Sequence, residues 1–463
     1  MKRSEKMKRH IYWFVISLLI LSQVLVACGP TEEPSPVQEA TAPPEEEPTK
    51  EPAPAEPVTV EFWGGWTAGD GDVMQALVDE YNAANPDVQV NLTRQQWSPL
   101  FDAFVVGASA GEAPDILAMH PQEMPQFIAL DLLLPLDDVL APSDVLNRDH
   151  YVGSAWDAHN FGGVQYGIPL DLHMHGLYIN LDLFEAAGLD PLDATQPLSG
   201  EEFLEVARQL TLDANGLHPG DDGFDSSNIV QYGVNQHTNH HAFFQWWALY
   251  RQQGGELLSA DGTSCAMDIE KSAAAWQWQQ DLVYKHFVAP QGQTDYPADF
   301  YSGRTAMLID GPWRMVSLEQ QAAEAGLKWA SAPYPVVFDQ PAMWSSGHSF
   351  TLPTHADPAN REAALAFLEW LGANSAAWAT SGQLPTFKSV MESDELAGMY
   401  GREAFLSMMP HAQILSSTDK YNEIFASNAP TPMMVMAQSV ILEQADPTAA
   451  SETACAEIDN IVK

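Results

Sequence analysis

The feature that most constrains this fold is a run of alternating apolar and polar residues at positions 166–180. It follows a double-glycine turn and reads Tyr-Gly-Ile-Pro-Leu-Asp-Leu-His-Met-His-Gly-Leu-Tyr-Ile-Asn. The alternation predicts a β-strand and puts Asp171, His173 and His175 on one side of it. Burying three unpaired polar side chains would be costly, so a wet cleft suits them better than a core. The run therefore predicts a strand that crosses between two globular units, with a ligand at the crossing.

Length and charge limit the classes of protein to consider. At 463 residues with 46% hydrophobic content, the chain can form two or three domains with real cores. It carries 62 acidic and 20 basic residues, a formal charge of -42. A field of that sign repels nucleic acid and anionic ligands and keeps a protein soluble outside a cell.

The N-terminus predicts export. A basic head precedes an apolar run at residues 11–26, which is shorter than the roughly 20 residues of a membrane-spanning helix and is broken by Ser17 and Ser22. Residues 1–27 therefore read as a signal peptide and not as a permanent membrane anchor. The Leu-Val-Ala-Cys tetrad that ends at Cys28 resembles a bacterial lipobox, which implies lipid attachment to Cys28. Residues 28–57 are rich in Pro and Glu, contain no aromatic residue and predict a disordered acidic tether.

The folded body begins with strands alternating with helices. Residues 58–63, 88–92 and 115–119 have strand patterns, and amphipathic helical stretches separate them. This order predicts an α/β fold with parallel strands and ligand groups at the strand carboxyl ends. Those ends are residues 63–67 and 120–123, and they contribute the candidates Trp63, Trp66, His120 and Glu123.

Later segments repeat this mixture of strands and helices. Residues 241–253 predict a helix of unusual aromatic content, and a strand at 306–309 leads into an Asp-Gly-Pro-Trp turn ending at Trp313. Residues 344–353 alternate again and predict a second crossing.

The body resembles a known family, the extracellular solute-binding lipoproteins of ABC importers, in the carbohydrate branch that includes the maltodextrin-binding protein. The matching segments follow the family order: Glu-Phe-Trp at 61–63, Gly-Glu-Ala-Pro-Asp-Ile at 111–116, Tyr-Gly-Ile-Pro at 166–169, Tyr-Ile-Asn at 178–180, Asp-Leu-Phe at 182–184, residues 300–313, Gly-His at 347–348 and Gly-Gln-Leu-Pro at 382–385.

The resemblance implies a two-lobed periplasmic-binding-protein-like fold, each lobe a central sheet flanked by helices, joined by a multi-strand hinge. Lobe one is expected at residues 58–169 plus 350–405, and lobe two at 170–349 plus 406–463. The implied function is to capture a neutral mono- or oligosaccharide by hinged closure and deliver it to the membrane subunits of an ABC importer. We expect a lipid-anchored monomer without enzymatic activity, cofactor, metal or nucleic-acid partner.

A sugar site needs flat aromatic surfaces for the C–H faces and polar groups for the hydroxyls. The resemblance puts Trp313 on a ring-stacking position, His173 on a polar contact of the crossing strand, and Phe244 with its neighbours His241 and Trp246 on an aromatic contact. The candidate surfaces are Trp63, Trp66, Phe244, Trp313 and Trp344. The candidate polar contacts are Asp171, His173, His348 and Gln383, with His120 and Glu123 in a lobe-one loop. Core packing is the alternative for the aromatic residues, and a structural role is the alternative for the histidines.

Three other kinds of site are weaker interpretations. A metal transporter would use the spacing of His237, His240 and His241, or His173 with His175, but aromatic residues dominate that helix. A glycosidase would need two placed carboxylates, and no catalytic motif is visible. A glycerol phosphate or another anion would need a basic cluster, whereas Arg314 is the single cation near the proposed loops.

Cys265 and Cys455 both fall in the expected lobe two, in an oxidising compartment. A disulfide between them is therefore a candidate, although sequence alone does not give connectivity.

Overall fold

The computed structural model describes residues 57–293 and 295–463. The predicted signal peptide, the lipid-attachment residue Cys28 and nearly all of the tether lie outside the described residues. Within the described ranges, no helix is both long and apolar enough to cross a membrane.

The strands are, in chain order, β1 (Val58–Gly64), β2 (Val88–Arg94), β3 (Ile116–Met119), β4 (Asn160–Phe161), β5 (Val164–Gln165), β6 (Ile168–Pro169), β7 (Asp171–Met174), β8 (Gly176–Asn180), β9 (Leu212–Asp213), β10 (Ile229–Val234), β11 (Thr305–Asp310), β12 (Trp329–Ala332), β13 (Met343–Ser346), β14 (Ser349–Thr351), β15 (Leu384–Pro385) and β16 (Ala412–Ile414).

The helices are α1 (Gly69–Ala84), α2 (Trp97–Ala110), α3 (Met124–Ala129), α4 (Asp137–Leu140), α5 (Gly153–Asp157), α6 (Leu181–Ala186), α7 (Gly200–Gln209), α8 (His240–Gln252), α9 (Ile269–Tyr284), α10 (Tyr296–Tyr301), α11 (Met315–Ala325), α12 (Arg361–Ala373), α13 (Ser375–Trp378), α14 (Lys388–Met391), α15 (Asp394–Gly398), α16 (Arg402–Met408), α17 (Tyr421–Phe425), α18 (Pro432–Glu443) and α19 (Pro447–Val462).

The sheet of the first lobe has the order β2-β1-β3-β14-β6. Strand β1 pairs in parallel with β2 and β3, as the strand-helix-strand pattern predicts, while β14 pairs antiparallel with β3 and β6. Val60 and Phe62 are fully buried on β1, so alternate residues of this strand form part of the lobe's core.

The sheet of the second lobe has the order β12-β8-β11-β10-β9. Strand β8 lies between β11 and β12 and is antiparallel to both, and all of its residues are buried. The core around this sheet is unusually aromatic because α8 contributes five buried aromatic residues: Phe243, Phe244, Trp246, Trp247 and Tyr250.

A third sheet, of order β15-β7-β13-β16, contains the crossing strands. The predicted single strand at 166–180 is three short strands, because β6, β7 and β8 pair in the first, third and second sheets in turn. The predicted second crossing is also present, since β13 lies in the third sheet and β14 in the first. The chain therefore passes between the sheets where the alternating patterns indicated.

The largest hydrophobic core surrounds the second sheet, and two smaller cores lie on the faces of the first sheet. Residues from β14 and α12 belong to one of these smaller cores, although their sequence positions fall between segments of the largest core. Ala404 and Phe405 of α16 pack in the larger core, although the predicted boundary at residue 405 assigns them to lobe one. The amphipathic pattern of a helix does not say which sheet it covers, so the exact lobe boundaries stay a prediction.

A disulfide joins Cys265 to Cys455, with an S–S distance of 1.95 Å. It links the segment before α9 to the last helix, α19, across 190 residues of chain. The pairing that the sequence left open is therefore present in the structure.

Candidate functional site

Asp171 is the centre of a hydrogen-bond network at the crossing strands. Its Oδ2 accepts bonds from Nδ1 of His348 and Nε1 of Trp378, both at 2.8 Å. Its Oδ1 accepts the backbone N–H of His348 at 3.0 Å and lies 3.3 Å from Nδ1 of His173. Burial opposes ionisation of this carboxyl, but the charge of His348 and the bonds from both histidines outweigh it and keep the pKa of Asp171 below its usual value. Asp171 thus holds the two imidazole rings in fixed orientations.

His120 completes a group of three histidines. It follows β3, and its Nδ1 lies 3.0 Å from Oε2 of Glu123 in the next turn. Its ring centre is 5.2 Å from that of His348 and 5.7 Å from that of His173. We call His120, His173 and His348 the histidine cluster. All three side chains are buried, and burial is the main cause that lowers the pKa of His173 to about 3.

Tryptophans of lobe one cover one side of the histidine cluster. The indole of Trp97, the first residue of α2, is stacked on His348 with centres 5.2 Å apart and an angle of 18°. Trp97 also lies 4.4 Å from the ring of His120. Trp66 meets His348 edge-on at 5.4 Å, but it is only 1% exposed and packs against Phe62 and Trp378. Trp97 is therefore partly exposed and can present its aromatic face to a ligand, whereas Trp66 is buried and packs behind His348.

Aromatic side chains of lobe two cover the other side. Trp313, in the turn after β11, meets His173 edge-on at 5.6 Å. Its ring centre also lies 5.7 Å from that of His241, at an angle of 33°. Trp344 of β13 is stacked on Phe244 of α8, with centres 4.0 Å apart and an angle of 6°. Five predicted residues, His173, His241, Phe244, Trp313 and Trp344, thus lie together at the crossing.

A second group of histidines lies deeper in lobe two. Nε2 of His175 is 2.9 Å from Nδ1 of His241, and Nε2 of His237 is 2.8 Å from the carbonyl of Ile309. Burial lowers the pKa values of His175, His237, His240 and His241 below the usual range. His175 was expected in a wet cleft, but it is fully buried and bonded to another histidine.

Two predicted contacts pack against hydrophobic cores. Trp246 is fully buried, stacked on Tyr250 and Trp276, and its Nε1 bonds to Ser272. It is two residues from Phe244, and two residues turn a helix by roughly 200°, so the two side chains face opposite ways. Trp63 lies beside Gly107 of α2 and packs in a lobe-one core. Trp246 therefore packs inside the core of lobe two, and Trp63 is partly buried against a lobe-one core, so their predicted contact with ligand stays a prediction.

Two more predicted contacts are already engaged by neighbours. Nε of Arg314 lies 2.8 Å from Oδ2 of Asp310 and its guanidinium faces the ring of Tyr296. Gln383 is fully buried and its Nε2 donates to Asp70 at 3.3 Å. Both side chains are therefore held close to the crossing by other residues of the protein.

The sequence matches the family described as bacterial extracellular solute-binding protein over residues 64–378. The chain belongs to this family. The matched region contains both crossings and all residues of the histidine cluster.

Relatives of this solute-binding protein include the maltotriose-binding protein of Pyrococcus abyssi, 22% identical over 79% of this chain and 75% of the relative. Among solved structures, a Thermotoga lettingae solute-binding protein bound to α-D-tagatose has a TM-score of 0.74 at 22% identity and covers 88% of this chain and 100% of its own. The maltodextrin-binding domain of Bdellovibrio bacteriovorus, bound to maltotriose, has a TM-score of 0.72 at 21% identity, covering 87% and 99%. These likenesses confirm the two-lobed α/β fold.

Sequence reasoning missed Trp97 in this solute-binding protein. The residue follows the carboxyl end of β2, which is the same sheet edge that led to Trp66 and His120. Applying the rule to all three parallel strands would have found it. No comparable signal pointed to Trp378, which reaches Asp171 from 207 residues away.

Proposed function

We propose that this solute-binding protein captures a neutral sugar or oligosaccharide between its lobes and passes it unchanged to an ABC importer. The observation that carries the proposal is the combination of aromatic faces from both lobes, Trp97 on one side and Trp313 on the other, around fixed polar rings. Sugars combine apolar C–H faces with hydroxyl edges, so they match such a site.

The charge around the crossing favours a neutral ligand over an anion. Asp310 compensates Arg314, the cation nearest the proposed contacts, and Arg314 also faces Tyr296 and Tyr301. Asp70 and Asp171 add buried carboxyl groups nearby. Among the described residues named here, a phosphate would meet acidic side chains and an arginine that is already paired, which argues against glycerol phosphate.

Contacts between the lobes support a hinged capture. Ser98 Oγ of α2 lies 2.9 Å from Ser427 Oγ, and Nδ2 of Asn428 donates to Asp102 at 3.0 Å. These two contacts are exposed and polar, and such contacts separate at little cost, whereas the crossing strands are buried and stay joined. We infer that a sugar enters when the contacts of Ser98 with Ser427 and of Asp102 with Asn428 break and the lobes move apart.

The anchoring and delivery steps follow from the family and the N-terminal motif. A lipid on Cys28 would hold the protein at the outer face of the cell membrane, where the acidic tether lets it reach the importer. We propose that it acts as a monomer and is not an enzyme. The carboxylate of Asp171 on β7 accepts hydrogen bonds from four donor groups, so it is poorly placed for acid–base chemistry.

A calorimetric panel of mono- and oligosaccharides tests the proposal, with glycerol phosphate as the anionic comparison. We expect a neutral sugar to bind, and Trp313→Ala to weaken binding by about 1–3 kcal/mol because one stacking face is lost. Trp370→Ala on α12, a partly exposed tryptophan of lobe one, is the matched control and should leave the affinity unchanged. Binding of the anion alone, or equal effects of the two substitutions, would contradict the proposal.

A further inference from the structure

The histidine cluster has the composition of a transition-metal site. One ring nitrogen of each of His120, His173 and His348 lies within 4.8 Å of a ring nitrogen of the other two, and all three residues are buried. They come from three separate places in the chain: the end of β3, the crossing strand β7 and the turn between β13 and β14. Such convergence of three imidazoles does not result from local sequence.

Each ring is oriented by a carboxylate through the same nitrogen. Nδ1 of His173 and Nδ1 of His348 face the two oxygens of Asp171, and Nδ1 of His120 faces Glu123. An Nδ1–H that donates to a carboxylate fixes the tautomer in which Nε2 carries a free lone pair. This carboxylate–histidine arrangement is the one that commonly supports zinc ligands.

The three Nε2 atoms are available. Within the described residues none of them makes a hydrogen bond, and none is sealed from solvent as Nε2 of His159 or Nδ1 of His175 is. The deeper histidines of lobe two differ, because His175 and His241 bond to each other and His237 bonds to a backbone carbonyl. Nε2 is thus free in all three members of the histidine cluster, whereas Nε2 of His175 and Nε2 of His237 are engaged in the deeper group.

We propose that His120, His173 and His348 bind one divalent transition-metal ion of the zinc class through Nε2, with Asp171 and Glu123 holding the rings. Three imidazoles suit zinc and its neighbours, whereas calcium and magnesium require oxygen ligands. In a tetrahedral site with Zn–N distances of roughly 2.0–2.1 Å, neighbouring nitrogens are roughly 3.3 Å apart, so metal binding must draw the three rings closer than the 4.8 Å within which their nitrogens lie. Three protein ligands leave a fourth position for water.

This proposal does not depend on sugar binding, and its test is made without sugar. The full-length protein, stripped of metal with a chelator, is titrated with Zn²⁺ by calorimetry and with Co²⁺ by visible spectroscopy. We expect one equivalent of each ion to bind, with the strong visible absorption of four-coordinate Co²⁺. The substitutions His120→Gln, His173→Gln and His348→Gln should each lower affinity by about 100-fold or more, and Asp171→Asn by about 10–100-fold.

Two substitutions serve as controls. His355→Gln is on the exposed surface, and His237→Gln removes a member of the deeper histidine group, so both should bind Zn²⁺ like the wild type. Saturable binding that persists in all three cluster variants, or that is lost in His237→Gln, would overturn the proposal, as would a wild type that binds neither ion.

X-ray absorption of the zinc-loaded wild type provides a measurement that no variant's folding can obscure. Three imidazole ligands are expected, and fewer than three would contradict the assignment. A wild type that binds zinc but no sugar would support the metal site and overturn the proposed sugar transport. A wild type that binds sugar but no zinc would overturn the metal site and leave the proposed sugar transport in place.

Discussion

At the residue scale, the sequence predicted the kinds of side chain at the crossing better than their partners. The alternation at 166–180 placed Asp171 and His173 on one side of a strand, and the structure pairs them at 3.3 Å. Asp171 also pairs with His348, 177 residues away, and this contact depends on the folding of two lobes. Local periodicity carries no information about such a contact.

The tryptophans also show that residue type alone does not predict which side chains a residue contacts. Trp313 and Trp344 lie beside the histidine cluster, whereas Trp246 packs inside lobe two. Composition alone does not distinguish the aromatic residues of α8 from one another. Phe244 and Trp246 differ in the direction in which their side chains point around the helix axis. Applying the 3.6-residue period within that helix would have put Phe244 and Trp246 on different faces.

Buried histidines predict a loss of stability in mild acid. His159 is sealed in lobe one, where burial lowers its pKa to about 4, although a bond to the Ala155 carbonyl opposes the shift. The unfolded state has a pKa of roughly 6.5, so it binds more protons and stability falls as pH drops from roughly 6.5 towards 4. This residue alone accounts for about 2 kcal/mol between roughly pH 7 and pH 5.

Urea unfolding of the wild type and His159→Gln at these two pH values measures the contribution of His159 to the pH dependence of the free energy of unfolding. The wild type should lose stability on acidification, and His159→Gln should lose about 2 kcal/mol less. The exposed control His355→Gln should behave like the wild type. Identical pH dependence in all three proteins would refute the assignment.

At the element scale, the two crossings are the part of the fold that the sequence predicted most directly. Alternation at 166–180 and 344–353 indicated strands, and both segments pass from one sheet to another. The pattern did not indicate that the first crossing divides into β6, β7 and β8, because a change of pairing partner leaves the alternation intact.

Gly347 lies between β13 and β14, beside Asp171 of the first crossing. A Cβ added there would be 2.2 Å from the carbonyl oxygen of Asp171, which is rigid backbone. We expect Gly347→Ala to push β7 away from the turn before β14, destabilise the protein by about 1–3 kcal/mol and disturb the histidine cluster.

The matched control is Gly398→Ala, at the end of α15, where an added Cβ meets nothing within 4 Å. Thermal unfolding of the two variants beside the wild type makes the comparison. Equal stability of Gly347→Ala and Gly398→Ala would contradict this prediction. It would show that β7 can move away from the turn before β14 without loss of stability.

At the scale of the whole molecule, the sequence predicted an α/β protein of two lobes, and the comparisons confirm that fold and the family. Segments in family order supported this prediction, since any one of them alone is weak evidence. The packing of α16 against the second lobe was beyond reach, because a short amphipathic helix fits either sheet. Ligand identity is equally out of reach of periodicity, because it depends on contacts between lobes.

A crystal structure of the protein with the tightest-binding sugar of the panel tests the central claim most directly. We expect the sugar between the lobes, with one ring against Trp313, another contact from Trp97 and hydroxyl groups near the crossing strands. A sugar bound to the outer surface of a single lobe, with no contact to Trp313 or the histidine cluster, would contradict the account.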